Sequence, residues 1–205
     1  KKIGVDVLFR PTNEEMYPSG HRTYLQVNKI TKSLCGKSRP NLFNGISTVV
    51  LKLFNIVQPN KAYFGEKDFQ QLLIVKELVK IERLPVNIIG CPIVREKNGL
   101  AMSSRNAYLS ATERKRALVI YSSLRQAEKL WCSGVAINRI EQELKKMLSA
   151  QEIQIEYADI VDAKSLLKMH KNNPNASVII LIACRVGSTR LIDNLLLPSQ
   201  TLSSC

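Results

Sequence analysis

Residues 61–91 constrain the fold more than any other part of the chain. "KAYFG" (61–65) is a compact strand-like run, and "DFQQLLIVKELVKIERL" (68–84) repeats apolar residues at helical spacing. "PVNIIGC" (85–91) then reads as a second strand. Strand, helix and strand within about thirty residues form a βαβ unit. Such a unit implies parallel pairing and a right-handed crossover, because the helix returns the chain to the end of the sheet where it started.

The flanks extend this pattern. "VDVLF" (5–9) reads as a short strand, and "PTNEEMYPSGHR" (11–22) as a polar loop with two prolines. "NGISTVVLKLFNIVQP" (44–59) puts Ile46, Val49, Val50, Leu53, Phe54 and Val57 on one helical face, with Pro59 just past its end. Beyond "PIVREKNGLAMSSRN" the character changes. Ser110 followed by Glu113 is a capping box, opening a helix with Ala117, Ile120, Tyr121, Leu124, Ala127 and Trp131 inward. Ile137, Ile140, Leu144, Met147 and Leu148 mark another helix. "IQIEYADIVD" and "SVIILIACRV" read as strands, with "TRLIDNLLL" offering a third. Helices followed by strands suggest a small α+β domain. A boundary near Val94 divides the chain into 1–93 and 94–205, and the tail "PSQTLSSC" is expected to fray.

Composition limits the setting. No apolar run approaches the roughly 18 residues of a membrane span, and "KKIGVDVLF" is interrupted by Asp6 too early for a secretory signal. Five cysteines without a CxxC pair, and two histidines, offer little for a zinc site; a cytoplasmic, reduced chain is the simplest reading. The net charge of +13 stands out, and its excess lies in front: 17 Lys+Arg against 8 Asp+Glu up to Leu109, then 13 against 9. Such a field favours nucleic acid, nucleotide or other phosphates, or it merely keeps the surface soluble. A basic nucleic-acid-binding module is therefore an alternative, but a recognition helix, stacking aromatics and zinc spacing are all missing from the sequence.

Two stretches bear chemistry. "FGEKDFQQL" (64–72) spans a strand end and a helix start, the place where open α/β sheets bind ligands. Unpaired N–H groups and the helix dipole suit a phosphate there. Gly65 permits close approach, Lys67 supplies mobile charge, and Asp68 suits Mg²⁺ or a ribose hydroxyl. Gln71, one turn on, suits a small polar substrate. The bland alternative is a capped helix with a solvated Glu66-Lys67-Asp68. In "AMSSRN" (101–106), Ser103 and Ser104 offer hydroxyls, Arg105 a guanidinium fork, and Met102 a flat contact for an adenine; an ordinary polar loop is the alternative. Arg39, in "SRPNLFNG", is a possible phosphate contact. His21 reads as a loop histidine without catalytic duty, and Cys91 and Cys184 as buried small hydrophobes.

"FNIVQPNKAYFGEKDFQQL", "REKNGLAMSSRNAYLS" and "RVGSTRLIDN" together resemble the pantoate–β-alanine ligases, or pantothenate synthetases, over nearly the whole chain. The resemblance implies ATP-dependent condensation of (R)-pantoate with β-alanine through a pantoyl adenylate, with Mg²⁺. It implies a Rossmann-like nucleotidyltransferase domain, a smaller C-terminal domain, a homodimer, and no membrane or nucleic-acid partner. By the same resemblance Gly65, Glu66, Lys67 and Asp68 match the ATP loop, Gln71 a pantoate-binding glutamine, and Val94 a backbone contact to the nucleotide. Met102, Ser103, Ser104 and Arg105 match the KMSKS-like loop, so Lys67, Ser103, Ser104 and Arg105 are the expected catalytic residues. Family members open with an HxGH motif that this sequence does not contain, and usually have "RPGHFRG" where this chain has "RPNLFNG", with Leu42 and Asn44 for a histidine and an arginine. The expectation is an N-terminally truncated Rossmann-like domain, inactive or weakly active alone, with a catalytically dead remnant as a further alternative.

Overall fold

The computed structural model describes residues 4–26, 34, 41–173 and 176–199. After a single-turn helix α1 (Asn13–Met16), α2 (Leu42–Val57) leads into β1 (Lys61–Gly65). A 3₁₀ turn (Glu66–Asp68) joins β1 to α3 (Phe69–Ile81), which returns the chain to β2 (Asn87–Cys91). β1 and β2 pair in parallel, with Lys61 opposite Asn87 and Gly65 opposite Cys91, so the expected βαβ unit is present.

Helix α2 ends where its sequence says it should. Gln58 takes a left-handed conformation (φ 48°) and donates its N–H back to Phe54 O, and Pro59 cannot continue the helix. Its buried face is displaced from the expected one: Phe43, Val50 and Phe54 are buried, whereas Val57 is exposed. Val75 and Leu78 of α3 and Val86 before β2 complete this small apolar cluster, with Ile46, Val49, Ala62, Phe64 and Ile88 half-buried around it.

After Cys91 a hairpin and a second 3₁₀ turn (Ser104–Tyr108) lead to α4 (Ala111–Cys132) and α5 (Ile137–Ser149). The Ser110–Glu113 capping box forms as read: Ser110 Oγ accepts from Glu113 N, and Glu113 accepts from Ser110 N. β3 (Gln154–Asp162), β4 (Val178–Val186) and β5 (Thr189–Leu196) form an antiparallel sheet in the order β3-β4-β5. A register shift between Ile155 and Tyr157 interrupts the β3–β4 ladder. Ala117, Ile120, Leu124, Ala127 and Trp131 of α4 and Ile137, Ile140, Leu144 and Leu148 of α5 cover this sheet in the largest core. Tyr121, expected inward, is only half-buried. The Trp131 indole N–H donates to Pro198 O (2.9 Å), which ties the chain after β5 to α4. Glu141 is buried on α5 and accepts from the Ile160 backbone N–H of β3 (3.0 Å).

The β4–β5 turn favours glycine through its left-handed backbone, and a side chain there would also displace the Glu113 carboxylate. Gly187 has φ +57°, and a Cβ there would lie 1.8 Å from Glu113 Oε1.

Two expectations need correction. Residues 5–9 are not a strand: they pair with no neighbour among the described residues, and Val7 and Leu8 are exposed. Local β preference does not make a strand without a partner to bond to. Cys184 is buried, and burial pushes its thiol up to about 12, but Cys91 is only half-buried. Arg39 and residues 200–205 lie outside the described residues.

Candidate active site

The first turn of the site follows from the βα junction. β1 and β2 end side by side at Gly65 and Cys91, so their carboxyl ends form one lip. Gly65 is extended (φ −68°), and a Cβ there would meet nothing within 4 Å. It is therefore not a conformational requirement; what it leaves is open space above the strand end. Asp68 occupies the N-cap position of α3 without a side-chain cap bond and is exposed.

The second turn is built on a hairpin. Arg95 bridges Ala101, Met102 N donates to Val94 O (2.9 Å), and Glu96 N donates to Leu100 O (2.9 Å). Gly99 closes it with φ +92°, its backbone so near the Tyr121 ring that a Cβ would lie 2.3 Å from it. Ser103 follows in extended conformation and accepts from Arg105 N (3.2 Å), starting the 3₁₀ turn that carries Ser104 and Arg105.

This second turn is anchored from behind by residues that the sequence did not single out. Asn106 is buried and donates to Glu96 Oε1 and Ala101 O, both at 3.1 Å. Arg114 of α4 donates to Glu96 Oε2 (2.6 Å) and Asn106 O (3.3 Å). The Asn106 amide, aided by Arg114, holds the Glu96 carboxyl below its ordinary range, against the opposing effect of burial.

Both turns open on one cleft. Lys67, Asp68, Ser103 and Arg105 line two adjoining cavities. One, of about 420 Å³, is bounded further by Gly65, Cys91, Val94, Met102 and Ser104. The other, of about 190 Å³, is bounded by Gln71, Leu42, Phe69, Gln70, Arg190 and Asp193. Of the residues singled out from sequence, Gly65, Lys67, Asp68, Gln71, Val94, Met102, Ser103, Ser104 and Arg105 thus come together. Glu66 does not join them: its side chain lies against β2, where a Cβ on Gly90 would approach Glu66 Oε1 to 2.9 Å. Leu42, standing where the family motif has histidine, gives the smaller cavity an apolar wall.

A small cavity and a larger one across a partition of one lysine, one carboxylate, one hydroxyl and one guanidinium suit two ligands whose reacting ends meet. Lys67 and Arg105 bring positive charge to the boundary that the two cavities share, which suits an anionic ligand. No helix of the described residues is long and apolar enough to cross a membrane.

Comparison with known proteins settles the lineage. Residues 1–196 match the family model described as pantoate-beta-alanine ligase. The chain belongs to the pantoate–β-alanine ligase family. It is 46% identical over 202 residues to a pantothenate synthetase of Syntrophotalea carbinolica, covering 95% of this chain and 69% of that protein. It is 47% identical over 199 residues to one of Thermotoga petrophila, covering 96% and 70%. The crystal structure of the pantothenate synthetase from Thermus thermophilus superposes with a TM-score of 0.91 at 42% identity, covering 96% of this chain and 72% of that one. A Francisella tularensis pantoate-beta-alanine ligase, solved with a β,γ-ATP ligand and β-alanine, superposes with a TM-score of 0.77 at 36% identity, covering 95% and 66%. The chain is a ligase of pantothenate biosynthesis with a nucleotidyltransferase-like α/β fold, and it spans about 70% of the length of these two curated relatives.

Proposed function

We propose that this chain condenses (R)-pantoate with β-alanine at the expense of ATP, through a pantoyl adenylate. The observation that carries this reading is the partition of Lys67, Asp68, Ser103 and Arg105 common to both cavities. The larger cavity would take ATP, with Gly65, Val94 and Met102 beside the nucleoside and Ser103, Ser104 and Arg105 on the phosphates. The smaller would take pantoate against Gln71. The Francisella ligase crystallised with an ATP ligand and β-alanine supports both ligands.

In the first step a pantoate carboxylate oxygen attacks the α-phosphorus, the bond to the β-phosphate breaks, and pyrophosphate leaves. Negative charge grows on the α-phosphoryl oxygens and the leaving pyrophosphate, and Lys67 and Arg105 are placed to oppose it. In the second step the β-alanine amine attacks the acyl carbon, gives up a proton, and AMP leaves with the bonding electrons. Mg²⁺, when bound, supplies further neutralisation at the phosphates. The exposed Asp68 carboxylate is the residue that would hold it, and one carboxylate plus phosphate oxygens is a usual Mg²⁺ donor set. Among the described residues no cluster of three His, Cys, Asp or Glu offers an all-protein cage.

Two further elements belong to the same reading: a boundary near Val94 between the nucleotide-binding part and a C-terminal domain, and a homodimer. Two apolar clusters, Val50–Val86 in front and Leu100–Leu197 behind, fall on either side of the boundary and support it, while Phe69 and Leu73 of α3 pack across it against the cluster of Val161, Ile179 and Leu181.

Pyrophosphate exchange into ATP tests the adenylate. Exchange is expected to need pantoate, to be weak because Leu42 and Asn44 replace the motif's histidine and arginine, and to fall on the order of 10²-fold or more in Lys67→Ala. Exchange that ignores pantoate, or that survives Lys67→Ala unchanged, would falsify the reading.

A further inference from the structure

We infer that Asp193 and Asn194, adjacent on β5, are positioning residues that set the spacing between the two cationic turns of the cleft. The inference deepens the proposed function and rests on it, since it matters only if those turns hold a nucleotide's phosphates.

The turn at 66–68 has little support of its own. Neither the 3₁₀ turn nor α3 has a side-chain cap. Its backbone is held instead from the far end of the chain. The buried Asn194 amide nitrogen donates to Glu66 O (2.9 Å) and Lys67 O (3.0 Å). An amide NH₂ has two donors, and here both go to successive carbonyls, which leaves the Lys67 peptide little freedom to rotate.

Asp193 grips the other turn. Its two carboxylate oxygens accept from both Arg95 terminal nitrogens, at 2.6 and 2.8 Å, and its side chain is 3% exposed. Arg95 also donates to Gly99 O (3.1 Å) and lies over the Tyr121 ring, 4.1 Å from its centroid. The hairpin fixed in this way runs directly into Ser103 and Arg105. Asp193 Oδ1 also accepts from the Asn194 backbone N–H (2.8 Å), so the two residues act as a unit. Successive strand residues point to opposite faces, which is how one dipeptide reaches both turns. Lys67 and Arg105 sit on separate loops more than thirty residues apart in sequence. What holds both loops to one frame is a strand almost a hundred residues further on.

Calorimetric titration of the full chain with ATP and with adenosine tests this. Adenosine lacks the phosphates, so the ratio of the two affinities isolates what the turns contribute. Asn194→Asp keeps the side chain's size and puts an acceptor against two carbonyls; Asn194→Ser keeps a single donor and serves if the aspartate variant does not fold. ATP's advantage over adenosine is expected to fall on the order of 10- to 100-fold in Asn194→Asp and less in Asn194→Ser. Adenosine affinity should hold, and hydrogen exchange should rise at residues 66–69. Variants that keep the wild-type ratio overturn the positioning role alone. Loss of adenosine binding in step with ATP binding overturns it too, since that marks general collapse. A wild-type chain with no preference for ATP over adenosine overturns the functional reading and the positioning role together.

Discussion

The two sheets of this molecule are built on opposite terms. No residue of β1 or β2 is fully buried, whereas in β4 every residue but Arg185 is. The front cluster rests on Val50, Phe54, Val75, Leu78 and Val86. The rear core joins two long helices to a three-stranded sheet around Trp131. Lys67, Asp68, Ser103 and Arg105 stand on turns at the sparsely buried side, and those turns are steadied from the densely buried one. A stiff, well-packed frame can hold solvent-facing loops in register at little cost to their accessibility.

The contrast is most exposed to failure when the halves are separated. Residues 94–205 alone should unfold in one cooperative transition, while 1–93 alone should show none, because its apolar cluster is too small to offset chain entropy. A sharp, reversible melt of the 1–93 fragment would erase the distinction.

Equal chemistry in the two cores offers a finer comparison. Leu124→Ala in the rear core is expected to cost close to 5 kcal/mol and Leu78→Ala in front about 2–3 kcal/mol. Both side chains are buried, but the cluster around Leu78 consists mostly of half-buried residues, which relax into the space more readily than the mostly buried residues of the cluster around Leu124. Denaturant unfolding of the two variants measures the gap, and equal losses would mean that the front packs as rigidly as the rear.

Gly187→Ala should cost less, about 1–3 kcal/mol, through left-handed strain and contact with Glu113. If thermal unfolding of that variant matched the wild type, the joint between the β4–β5 turn and the start of α4 would be looser than drawn.

The smallest effect is one of pH. Asn106 and Arg114 hold the Glu96 carboxyl below its ordinary 4.5. A folded value below the unfolded one means that the group's contribution is complete above the unfolded value and fades as pH falls through the folded one. Hydrogen-exchange protection in 96–106, measured against the intrinsic rate at each pH, should therefore fall on acidification below pH 4.5, and Glu96→Gln should remove that dependence. An unchanged acid profile in the variant would assign the loosening to other carboxylates.

What the sequence made legible was local. The βαβ unit, the Ser110–Glu113 cap and the Gly65–Asp68 turn each depend on residues within a few positions of one another, and each can be read by spacing. The misreading of 5–9 has the same origin, since β preference is local and pairing is not. The supports of the site were illegible for that reason. Arg95 meets Asp193 across 98 residues and Asn194 meets Lys67 across 127, and nothing in one segment announces the other. Asn106 and Arg114 are closer, but a polar loop residue and a helix-surface arginine look alike whether or not a carboxylate lies between them. Glu66 could not be separated from Lys67 and Asp68 by spelling; only the bare backbone at Gly90 shows where its side chain goes.

Because one partition serves both chambers, it offers no handle for redesign. Any exchange at Lys67, Asp68, Ser103 or Arg105 alters both compartments together. Whoever wishes to retune one compartment while sparing its neighbour must work on the outer walls, at Leu42 and Phe69 on one flank or at Val94 and Met102 on the other.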